Sequence, residues 1–75
     1  MDFISKEQAA RLAHAYANYR EIRVSDLDNA DECTHVIHMI WFLIKTQKNL
    51  GIELVEREKL EDRVRKVQAL SERVG

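Results

Sequence analysis

Proline is absent from this chain, and glycine occurs only at Gly51 and Gly75. Proline costs about 3 kcal/mol inside a helix and glycine about 1, so both are the usual interruptions. Their scarcity, with Ala, Leu, Glu, Lys, Arg and Gln abundant, predicts an all-α fold. A single cysteine, Cys33, excludes an internal disulfide and suits a reducing compartment. No segment holds an excess of positive charge: residues 1–24, 25–50 and 51–75 carry net +1, −2 and 0. Neutralising several phosphates takes a concentration of Lys and Arg, so composition counts against nucleic-acid binding. No basic start followed by an apolar run and a small-residue cleavage site is present. The run Val36–Ile44 is broken by His38 and falls far short of the roughly 20 residues that a bilayer demands. The expectation is a cytoplasmic protein without a membrane segment.

What the chain does have is a greasy centre. Thr34–Ile44, THVIHMIWFLI, is uncharged and apolar at eight of eleven positions. The whole chain is 75 residues, a size at which one core is barely sufficient. With a disulfide excluded, stability must come from close helix packing, a metal or oligomerisation.

Three helices are expected, within one domain spanning 1–75. Helix 1, about 5–22, opens with Ser5 and Gln8 in the spacing of a capping box, with Ile4 placed as a staple. At about 100° per residue, Ala9, Leu12, Ala13, Tyr16, Ala17 and Tyr19 gather on one face. That face is rich in alanine, which permits close approach but buries little area. The linker Ser25–Asp31, SDLDNAD, offers Ser25, Asp28 or Asn29 as the cap of helix 2. A calcium loop is rejected there: Ala30 replaces an oxygen ligand, Asp31 the required glycine, and Ile37 the closing glutamate.

Helix 2 is expected over about 29–50, with Gly51 ending it. Leu50, Leu43, Val36, Ile40, Cys33, Ile44, Ile37 and Trp41 fill a sector that reaches about 200° once Met39 is included. A surface helix needs about half that, so helix 2 should be central, with helices 1 and 3 on its flanks. Helix 3, about 54–73, carries a stripe of Leu60, Val64, Val67, Leu70 and Val74 only about 120° wide. Glu61→Arg65 and Asp62→Lys66 are expected as i,i+4 ion pairs. Leu54 and Val55 lie off the stripe, so Gly51–Val55 is either a packed turn or a first helical turn starting at Glu53. The short connection makes helices 2 and 3 an antiparallel hairpin. Two thin neighbours leave Trp41, Met39 and the aliphatic ridge short of cover. The simplest cover is a second copy of the chain, giving a helical-bundle homodimer; Phe3 and Ile4 folding over the ridge is the alternative.

Catalytic chemistry finds little support. In the string C-x-H-x-x-H, Cys33 and His35 point about 200° apart on a helix, so they cannot share an ion. His35 and His38 can, but need further ligands, for example His14. Haem ligation by His35, His38 or Met39 fails on the same shortage. Cys33, among Val36, Ile37 and Ile40, reads as a buried thiol. Asp26/Asp28 and Glu61/Asp62 fall in caps and solvated faces, and no glycine loop cradles phosphate. A helix-turn-helix is suggested by SKEQAARLAHAYA at 5–17, but no glycine follows, and Asn29–Glu32 offers acid where a recognition helix needs base-reading groups. Helix 3 is too short in heptads for a coiled coil.

Phe42 stands out on the polar face of helix 2, with His35 and His38 near it. It is read either as a partner anchor rimmed by histidines or as a side chain packed on a neighbouring helix. The expected function is a non-catalytic, regulatory or adaptor-type interaction protein acting as a homodimer. His35, His38, Met39, Trp41 and Phe42 are its candidate interface residues, with no metal, cofactor or small-molecule substrate. A DNA-associated regulator is the alternative.

Overall fold

A computed structural model describes residues 5–74, and the expectations for Phe3 and Ile4 lie outside them. The described residues form α1 (Lys6–Glu21), a 3-10 turn (Val24–Asp26), α2 (Ala30–Leu50) and α3 (Arg57–Val74), with no strand among them. None of these helices is long and apolar enough to cross a membrane.

The starts of α1 and α2 follow from local hydrogen bonding. The Ser5 hydroxyl accepts from the Gln8 amide at 3.1 Å while the Gln8 side chain accepts from the Ser5 amide at 3.3 Å. That reciprocal pair satisfies two of the donors a helix start leaves orphaned. Of the three candidate caps for α2, Asn29 takes the role: its Oδ1 accepts from the Glu32 amide at 2.9 Å. Glu32 in turn accepts from the Asp28 amide at 3.0 Å, and Asp31 and Glu32 place negative charge at the positive helix end. Gly51 ends α2 in the left-handed conformation, φ 66°, and its amide reaches back to Lys48 O at 3.3 Å. A side chain at that φ is strained, which is why glycine stands there.

α2 is the central element. It packs on α3 most extensively and on α1 along its other flank. The six-residue connection Gly51–Glu56 turns the chain so that α3 runs back along α2. Ile40, Leu43, Leu60, Val67 and Cys33 are fully buried, joined by Val36, Ile44 and Val64, while α1 adds Leu12 and Ala15. The molecule is a slab of 44 × 22 × 16 Å, about one and a half helix diameters thick.

Three expectations are corrected. α3 begins at Arg57 rather than near residue 54, because Gln47 holds the amides of Leu54 and Val55 in a turn (below). Glu61 pairs with Arg57 at 3.7 Å instead of with Arg65, whose guanidinium turns to Asp62, also at 3.7 Å. Asp62 already draws Lys66 to 3.0 Å, so its carboxylate gathers two cations. Finally, the two flanking helices cover more of the α2 ridge than their composition suggests. Cys33, Val36, Ile40, Leu43 and Ile44 are all buried within the single chain, leaving Trp41 exposed and Ile37, Met39 and Phe42 half-buried.

Candidate interaction surface

The five candidate residues separate onto three sides of α2. His35, Met39 and Phe42 face α1 and line a groove between the two helices. Trp41 is 45% exposed on the opposite flank, beyond Ile37 and Ile44. His38 is exposed to solvent and lines no part of the groove. The pair of histidines read together in sequence is therefore divided: His35 borders Phe42's groove and His38 does not.

Phe42 is packed against α1. The Arg11 guanidinium sits 5.4 Å from its ring centroid, a cation–π contact that also closes the α1–α2 seam at this level. The surroundings of Phe42 explain its departure from the polar pattern: it fills the gap that an alanine-rich α1 leaves open. Its ring remains half-exposed. It serves as packing and as groove wall at once.

The groove has two segments, about 530 and about 470 Å³, which share Asn18, His35 and Met39. Ile22, Leu27 and Val36 form the apolar floor of the first, with Glu21, Asp31 and Glu32 at its margin. Arg11 and His14 border the second. One end of the groove is thus acidic and the other basic. This polarity follows from α1 and α2 running in opposite directions: Arg11 lies beside Phe42, while Glu21 lies beside the first turn of α2.

Sequence reasoning missed two residues that shape this surface. Gln47 is 5% exposed and fully satisfied. Its Oε1 accepts from the amides of Leu54 and Val55, both at 2.9 Å, and its Nε2 donates to Val55 O at 3.1 Å. The signal was there: Gln47 falls inside the apolar sector of α2, where a polar side chain needs partners. The turn it clasps leaves Ile52 and Leu54 exposed, 42% and 46%. Arg63 is the second. Its guanidinium lies 5.3 Å from the Tyr19 ring centroid and donates to Ile22 O at 3.3 Å, tying α3 to the end of α1. No periodicity links positions 22 and 63, so nothing in the sequence pairs them.

Cys33 is fully buried whereas His35 and His38 are exposed, so the C-x-H-x-x-H string is split between core and surface. Among the described residues no three His, Cys, Asp or Glu side chains converge as a metal would require. The Asp62 carboxyl has a displaced acidity. The Lys66 ammonium, by hydrogen bond and then by charge, and Arg65 beside it hold its carboxyl below the usual carboxylate range. That is the signature of a surface ion-pair network on α3. Comparison with protein-family models, with curated proteins and with solved structures finds no match for this chain.

Proposed function

We propose that this protein is a non-catalytic interaction module that self-associates through α2 and offers the rest of that helix's exposed surface to another protein. The observation that supports it is the exposure pattern of α2. The helix is central to the fold, yet it leaves Trp41 exposed on one flank and Met39 and Phe42 only half-buried on the other. Trp and Met are side chains that interfaces enrich, and a Trp left 45% exposed is a costly arrangement for a surface that meets only water. A regulatory or adaptor role follows, in which the protein works by occupying a partner. The intracellular expectation from the lone thiol of Cys33 belongs to the same reading.

The DNA-associated alternative draws no support from the geometry. The connection between α1 and α2 runs through eight residues, Ile22–Asn29, and contains its own 3-10 turn. A helix-turn-helix uses three or four. The first turn of α2 carries Asp31 and Glu32, which repel phosphate.

Sedimentation equilibrium over micromolar concentrations tests the proposal. A dimer mass is expected, and a monomer throughout that range removes self-association from the reading. The chain has one tryptophan, so a Trp41→Ser variant separates a contact role from a structural one. Its stability should stay within about 1 kcal/mol of the parent, as for other half-exposed surface positions.

A further inference from the structure

We propose that the α1–α2 groove is the self-association surface, occupied by the same groove of a second copy in an antiparallel, two-fold arrangement. The inference rests on the self-association reading above and specifies its face, register and charge pairing. A two-fold interface brings a surface against itself, so the patch must be self-complementary. The groove has that property. Rotating a copy by a half-turn about an axis near His35 and Met39 sets each acidic end, at Glu21 and Asp31, against the partner's basic end, at Arg11. A parallel pairing sets like charges together and is disfavoured.

Three further observations point the same way. All three intrachain ion pairs among the described residues lie on α3, so Arg11, Glu21 and Asp31 bring their charges to the groove without an ionic partner there. Met39 at the centre of the proposed contact adapts its shape to an opposing copy of itself, and Ile22, Leu27 and Val36 extend apolar surface toward the acidic end. The charged ends also stand apart: the ten residues from Arg11 to Glu21 span about 15 Å of α1, beyond the roughly 8 Å screening length of physiological salt, so antiparallel and parallel registers differ in charge. The Trp41 flank stays outside the dimer, free for a partner of another kind.

Charge reversal with sedimentation equilibrium tests the pairing. Arg11→Glu and Glu21→Lys should each weaken self-association by about tenfold or more, because each faces its two-fold mate with like charge. Mixed one to one, they should recover the parent affinity, since in the mixed dimer both contacts, 11 with 21 and 21 with 11, become attractive again. His14→Glu replaces Arg11→Glu in the mixture should the latter lower the melting temperature through its contact with Phe42. Arg65→Glu, on the outer face of α3, should leave the association unchanged. Acrylamide quenching of Trp41 should be the same for monomer and dimer. A parent dimer indifferent to the single reversals, unrestored by mixing, or shielding Trp41 overturns the groove arrangement while leaving self-association standing. A parent that stays monomeric at 100 µM, taken as about the top of the useful range, overturns both.

Discussion

Single residues decide where the α2–α3 hairpin closes. Gln47 is a polar side chain in an apolar sector, and its cost of burial is offset by three hydrogen bonds to the turn. Gln47→Ala should therefore lower stability by about 2–3 kcal/mol, more than the loss of one contact, because the Leu54 and Val55 amides lose their acceptor. Gln47→Glu should recover only part of that loss, since it keeps the oxygen that both amides use but sets a second acceptor against Val55 O in place of the Nε2 donor. Denaturant titration of the two variants checks the order, and an equal loss in both would place the effect in packing rather than in the acceptor. From the sequence, the position of Gln47 on the wheel was visible but its partners were not. They lie seven and eight residues on, beyond helical spacing, in a stretch whose conformation the sequence left between a turn and a helix start.

At the scale of the element, capping chemistry and charge order carry most of the explanation. The Ser5–Gln8 box and the left-handed Gly51 arise from neighbours within four residues and were legible in the sequence, whereas Asn29 was one of three candidate caps until the structure singled it out. Ion pairing along α3 was legible only in part. Asp62 and Lys66 pair as i,i+4 spacing suggests, but Glu61 chooses Arg57 because its other neighbour, Arg65, is drawn to Asp62. The Asp62 carboxyl is held below its unfolded value, so its contribution is fully present above the unfolded value and is lost as pH falls through the folded one. The stability difference between the parent and Asp62→Asn should accordingly shrink between about pH 5 and about pH 2. It should shrink as well in about 1 M salt, since the groups are exposed and screened. A difference that persists at low pH and high salt would assign the effect to helix propensity instead of charge.

For the molecule as a whole, the open question is how an alanine-rich α1 stays attached. It buries only Leu12 and Ala15, and its contact with α2 is the less extensive of the two that α2 makes. Half-buried Tyr16, Tyr19 and Phe42 fill the seam, and Arg63 fastens its far end. Positive charge at Ile22 O also suits the negative end of the α1 dipole. Arg63→Ala should cost about 1–2 kcal/mol. Amide exchange would show the loss concentrated in α1, with the α2–α3 hairpin keeping its protection. Arg63→Lys should recover little, because an ammonium cannot both stack on Tyr19 and direct a planar donor at Ile22 O. Uniform loss of protection across all three helices would show that α1 and the hairpin unfold as one unit.

The sequence by itself determined the all-α class, the number of helices, the centrality of α2 and most caps. Each depends on periodicity or on hydrogen bonds within a few residues, and both are written along the chain. Tertiary structure alone decided that α1 and α3 enclose most of the apolar ridge, that Phe42 leans on Arg11, and that His35 and His38 part company. It also decided that charges from two helices form a groove with opposite ends. Those features depend on how far apart helices sit and which way they run, quantities set by packing between side chains that are distant in sequence.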